Sequence, residues 1–156
     1  MFYEAVKFTI ENEGGYSDDP DDKGGKTKYG ISQASNPEVD VENLTLTEAE
    51  LIYRKKYWNP LYAQLPKKLG IKLFDIGVNI GVKTSIRVLQ ATLNRWFDTN
   101  LMVDGVFGSQ TLSASLRANS ESLYSMFLFE CSLYYESLKN YKYFIGWLNR
   151  LYKEIK

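Results

Sequence analysis

Phe2, Ala5, Val6, Thr9 and Ile10 recur at helical spacing, and Gly14-Gly15 then cuts the pattern off. From there to Ser32 the chain is dominated by glycines, aspartates, lysines and tyrosines. That break constrains the molecule more than any other feature. Residues three and four apart share a helix face, so the spacing predicts a helix over 2–12. Glycine takes the left-handed conformation after a last turn at little cost, so the paired glycines end it. Glu13 is left at the helix C-terminus, where the dipole disfavours negative charge and favours the neutral acid. This is a poor place for stability and a good one for a proton donor at the lip of a cleft. The loop over 16–32 is rich in turn formers and reads as a loop or short hairpin, with Thr27 to Ile31 as a short strand.

Beyond it, the chain reads as helix after helix. Residues 33–45 look irregular, with Pro37 breaking any helix. Thr47-Glu48-Ala49-Glu50 has the form of a capping box, with Leu46 and Leu51 as its hydrophobic staple. The helix it opens is expected to run to about residue 59, before Pro60. Further helices are expected over 67–80, 84–97, 109–118 (capped by Ser109), 120–138 and 141–155. The fourth presents Ile86, Leu89, Leu93 and Trp96 on one face. The late aromatics Phe127, Phe129, Tyr134, Tyr135, Phe144 and Trp147 read as core.

Composition removes whole classes of chemistry. The chain has 156 residues, with Lys plus Arg and Asp plus Glu at 19 each. No net field draws it to nucleic acid. Histidine is absent and there is one cysteine, Cys131. No internal disulfide can form, Ser-His-Asp and Cys-His catalysis are excluded, and no usual zinc cage can be built. Cys131 reads as a small buried apolar residue. The remaining candidate for acid–base work near neutral pH is a carboxylic acid with a raised pKa.

Glu13, Asp22 and Thr27 form the constellation of interest. An acid on one wall of a cleft would face a carboxylate and a hydroxyl able to orient water. Glycosidic bond cleavage needs a protonated carboxyl for the leaving oxygen and a base or nucleophile for the anomeric carbon. Flat rings match the C–H faces of pyranoses, so Tyr16, Tyr29, Tyr57 and Trp58 are candidate sugar contacts, with Asp19 beside them in the loop. Asp75 and Asn79 are polar residues in an otherwise apolar helix. They either brace a neighbouring loop or face the substrate, where Asn79 would bond an acetamido group.

The run Glu13-Gly14-Gly15-Tyr16, then Asp19-Pro20, Asp22, Gly24-Gly25, Thr27 and Tyr29-Gly30-Ile31, resembles the signature of the glycoside hydrolase family 108 lysozymes. These N-acetylmuramidases include secretion-activator and phage endolysin types. The resemblance continues through Ile52-Tyr53-Arg54, Tyr57-Trp58, Phe74-Asp75, Val78-Asn79 and Gly81. It reaches Leu89-Gln90, Asp104-Gly105, Gly108 and Thr111-Leu112, which look like that family's C-terminal peptidoglycan-binding segment. The resemblance implies Glu13 as the catalytic acid and peptidoglycan as the substrate. The order Glu, Asp, Thr is also similar to that of phage-type lysozymes, and we extend the site to Asp22 and Thr27 on that basis.

The expectation is a mainly α, single lysozyme-like domain over 1–156, with a short β-hairpin or irregular loop beside the cleft. Residues 1–81 form its catalytic segment and 82–156 a helical segment packed in the same fold. The reaction expected is bacteriolytic hydrolysis of the β-1,4 bond between N-acetylmuramic acid and N-acetylglucosamine, without cofactor or metal. The alternatives are a lytic transglycosylase giving 1,6-anhydro products and a non-catalytic wall-binding secretion-accessory module. The partner expected is the peptidoglycan glycan strand, with no nucleic acid and no membrane span, and the protein a monomer. The N-terminus lacks the build of a signal peptide. Synthesis in the cytoplasm is expected, and action on the wall, in the periplasm or outside, after export or phage-type release.

Overall fold

The computed structural model describes residues 1–13 and 26–155. Among these, the chain forms seven α-helices and one two-stranded antiparallel sheet. They are α1 (Phe2–Glu13), β1 (Thr27–Lys28), β2 (Ile31–Ser32), α2 (Leu46–Tyr57), a 3-10 turn (Pro60–Gln64), α3 (Lys67–Ile80), α4 (Val82–Trp96), α5 (Ser109–Arg117), α6 (Ser120–Ser137) and α7 (Tyr141–Tyr152). The mainly α, lysozyme-like architecture with a short hairpin is the one the sequence implied.

α3 is the axis of the molecule. Every residue from Leu69 to Gly77 is buried, so this helix is covered all round rather than on one stripe. It packs against α1, α4, α6, α2 and the 3-10 turn. α1 lays Phe2, Ala5, Val6 and Thr9 on it, all buried as the spacing predicted. Trp58 closes the start of α1 with three edge-on ring contacts, to Phe2, Tyr62 and Phe74. Cys131 is buried on α6, as read from the sequence.

Three local expectations are corrected. The strand expected over Thr27 to Ile31 is a hairpin whose two-residue loop is Tyr29-Gly30, because Lys28 pairs with Ile31 and Thr27 with Ser32. Both loop residues have positive φ (53° and 76°), the signature of a type I′ turn, and glycine supplies the second at no steric cost. Tyr29 is held there by its carbonyl, which accepts from Tyr53 Oη at 2.9 Å.

The capping box of α2 is Thr45 with Glu48, two residues earlier than expected. The sequence offers two overlapping Thr-x-x-Glu patterns, and burial chooses between them. Starting at Thr45 makes Leu44 and Ala49 the staple pair, both buried, while Leu46 and Leu51 stay exposed. At α5, Ser109 is the first helical residue and Gly108 the cap, with no side-chain bond.

The late aromatics divide. Phe127 and Tyr135 are buried and Tyr134, Phe144 and Trp147 are half-buried, but Phe129 is exposed, edge-on to the exposed Trp96. The Asp104-Gly105 turn is held by Gln90. Its amide nitrogen donates to Asp104 Oδ1 at 2.9 Å, and its oxygen accepts from the Gly105 N–H at 2.9 Å. Gly105 is required: φ is 77°, and a Cβ there would stand 2.8 Å from the Lys83 carbonyl oxygen. No helix among the described residues is long and apolar enough to cross a membrane.

Candidate active site at the end of the first helix

α1 ends at Glu13, as the double glycine predicted. The structure shows how that end is held. Asp75, in the middle of buried α3, has essentially no exposed surface and forms an ion pair with Arg150 of α7. Arg150 grips it in fork geometry: Nε donates to both carboxylate oxygens at 3.2 and 3.3 Å, and Nη2 to Oδ1 at 2.9 Å. Two residues of the last turns of α1 complete the cage. Thr9 Oγ1 donates to Asp75 Oδ1 at 3.0 Å, and Asn12 Nδ2 to the same oxygen at 3.4 Å. One carboxylate therefore ties α1, α3 and α7 together, one residue short of Glu13.

A second buried charge lies one turn away. Lys72 Nζ donates to the carbonyls of Arg150 (3.2 Å) and Lys153 (3.4 Å), closing the end of α7. It also stands 4.5 Å from the centre of the Phe8 ring. Burial, aided by the charges of Arg150 and Lys153 and opposed by Asp75, pulls the Lys72 pKa down to about 8. Asp75 therefore carries the anionic side of a site holding two cations. That arrangement tolerates burial only while every member keeps its partner.

The sequence-predicted residues fall into three groups. Tyr16, Asp19, Asp22 and the side chain of Glu13 lie outside the described residues. Thr27 on β1, Tyr29 in the hairpin turn and Asn79 near the end of α3 are half-buried. Asn79 Oδ1 accepts from the Tyr135 hydroxyl at 2.7 Å, so its oxygen braces α6. Tyr57 and Trp58 are half-buried at the end of α2. Tyr57 packs its ring on Tyr53, 5.9 Å between centres. Trp58 packs at Phe2, the opposite end of α1, and a helix of this length places it roughly 15 Å from Glu13. Asp75, by contrast, braces rather than faces solvent.

Arg150, Thr9 and Asn12 were not singled out from the sequence. A faint signal was present: Lys72 and Asp75 are charges inside an apolar helix, and Arg150 interrupts the aromatic stripe of α7. A separate cavity of about 880 Å³, lined by Phe97, Asn100, Gln110, Ser113 and Arg117, contains none of the predicted residues. Among the described residues no group of histidine, cysteine or carboxylate side chains could hold a metal ion.

The fold is mainly α and lysozyme-like, and Glu13 is the last residue of its first helix, next to a buried ion-pair cage. Residues 6–81 match the glycosyl hydrolase 108 family. The structure of Brucella abortus SagA is similar, with a TM-score of 0.81 and 28% identity over 96% of this chain and 88% of that one. No curated protein shows significant sequence similarity to the chain. In class the protein is a lysozyme-type peptidoglycan hydrolase.

Two outcomes follow from the cage. Asp75→Ala strands the Arg150 charge and should lower unfolding free energy by about 3–5 kcal/mol in urea titrations; a loss below about 1 kcal/mol would contradict the cage. For Lys72, the folded pKa lies below the usual lysine value of 10.5. The unfolded chain then binds the extra proton between pH 8 and 10.5, so this group's contribution to stability rises with pH across that window. Relative to Lys72→Met, the native chain should gain on the order of 1 kcal/mol between pH 7 and 9. A flat difference would show that Lys72 is not desolvated.

Proposed function

We propose that this protein cleaves the β-1,4 bond between N-acetylmuramic acid and N-acetylglucosamine in peptidoglycan, with Glu13 as general acid. The observation that carries the reading is the clamp on the last turns of α1 by Asp75 and Arg150, which fixes the backbone from which Glu13 departs. A general acid must meet the leaving oxygen within hydrogen-bond reach, and a frayed helix end would not hold it there. The match of residues 6–81 to the glycosyl hydrolase 108 family supports glycoside hydrolysis, and the C-terminal end of a helix dipole favours a neutral carboxyl.

In this mechanism Glu13 donates its proton to the glycosidic oxygen as the bond to the anomeric carbon breaks. Asp22, with Thr27, orients the attacking water, which supplies the hydroxyl to the new reducing end. Tyr16, Asp19 and Tyr29 are assigned to sugar binding in this reading, and Asn79 to the acetamido group. Tyr57 and Trp58, half-buried at the end of α2, remain candidate sugar contacts further along the glycan strand. Residues 1–81 carry the chemistry, and 82–156 complete the fold by supplying Arg150 to Asp75 and Tyr135 to Asn79. A peptidoglycan substrate would be met at the cell wall, in the periplasm or outside.

Removal of a general acid costs roughly 10²- to 10⁴-fold in rate. Glu13→Gln should therefore give a folded protein with unchanged helical circular dichroism and almost no release of soluble fragments from purified sacculi. Retention of a tenth or more of native lysis, on the order of the lower bound for such a loss, would refute the assignment.

A further inference from the structure

The aromatic residues of α7 do something that core packing does not require. Tyr143, Trp147 and Arg150 are spaced by four and three residues, so they stand in a row on one face. Trp147 stacks on Tyr135 with centroids 5.3 Å apart at 27°, and Tyr143 extends the row at 6.2 Å and 30°. The inner ring is fixed: Tyr135 is 2% exposed and its hydroxyl is bonded to Asn79. The outer ring is half exposed, Tyr143 at 50%, with the Lys142 ammonium 5.2 Å from its centroid.

Two donors beside the stack have no partner among the described residues, the Asn79 amide nitrogen and the Trp147 indole N–H. No unpartnered side-chain nitrogen or oxygen there is buried, so both meet solvent.

The direction of the helices places this stack relative to Glu13. Along α3, Lys72, Asp75 and Asn79 meet α7 and its end in the order Lys153, Arg150, then Trp147 by way of Tyr135, so the two helices run antiparallel. Along the same stretch α1 runs parallel to α3, Phe8 beside Lys72 and Asn12 beside Asp75. One turn further on, α3 offers Asn79. The ring stack therefore lies beyond the C-terminal end of α1, on the side toward which Glu13 leads.

We infer that Tyr143, Trp147 and Asn79 form a subsite for an N-acetylhexosamine of the glycan strand. The proposal deepens the preceding reading and rests on it for the class of ligand. A pyranose presents an apolar C–H face to a flat ring, while its acetamido carbonyl and hydroxyls accept from amide and indole N–H groups. Rings held by a buried, hydrogen-bonded neighbour lose little freedom when a sugar docks, which favours affinity.

The test uses the full chain carrying Glu13→Gln, so that binding is read without turnover, and β-1,4-linked N-acetylglucosamine tetramer as the probe in calorimetry. Adding Tyr143→Ala should weaken binding about three- to tenfold, the range an aromatic contact supplies. Trp147→Phe, which keeps a flat ring and removes the donor, should weaken it less. Tyr141→Ala, 74% exposed on another face of α7, should leave it unchanged. Equal binding with and without Tyr143, an equal loss in Tyr141→Ala, or no binding by the Glu13→Gln parent would each overturn the subsite. A Glu13→Gln protein that still lyses sacculi would overturn the acid assignment and leave the subsite standing. A lysis-dead parent whose affinity ignores Tyr143 would overturn the subsite alone.

Discussion

A single buried carboxylate organises this molecule. Asp75 sits on a helix with no solvent-facing side along its middle, and an isolated anion there would cost several kcal/mol. It is tolerated because Arg150 and the side chains of Thr9 and Asn12 converge on it. Those partners come from two helices far apart in sequence, α1 and α7. The requirement to satisfy one charge thus fixes the mutual placement of α1, α3 and α7. Hydrophobic burial alone would permit more sliding, since it is non-directional. Lys72, closing the end of α7, adds a second directional contact between α3 and α7.

The same constraint explains why the two halves of the chain belong together. The family match covers 6–81, yet the cage around Asp75 is closed by Arg150 and Asn79 is engaged by Tyr135. The late helices supply the wall against which the first helix is held. The Gln90, Asp104, Gly105 and Thr111 residues are absorbed in bracing their own turn, with Gln90 Nε2 also donating to Thr111 Oγ1 at 3.3 Å.

Local pattern made much of this legible. The end of α1, the extent of α3 and the burial of Cys131 follow from periodicity, paired glycines and apolarity. Where two local signals overlapped, tertiary packing decided. Thr45 outcompetes Thr47 as the cap because only that start buries Leu44 and Ala49 together. The hairpin was half visible: Gly30 carried the turn, while Tyr29 at positive φ depends on a bond from Tyr53, which no local rule contains. The pairing of Asp75 with Arg150 spans 75 residues of sequence and leaves only two out-of-place charges as its trace. Aromatic content could not tell core from surface either. Phe127 and Phe129 are two residues apart on one helix, one buried and the other exposed, because 200° of rotation separates them.

The central claim is that a clamped helix end presents a carboxylic acid to a glycan and lets water finish the reaction. Mass spectrometry of the fragments released from purified sacculi by the native chain tests it most directly. Reducing N-acetylmuramic acid ends are the predicted product. Fragments ending in 1,6-anhydro-muramic acid, fragments with reducing N-acetylglucosamine ends, or no soluble fragments at all would contradict the account.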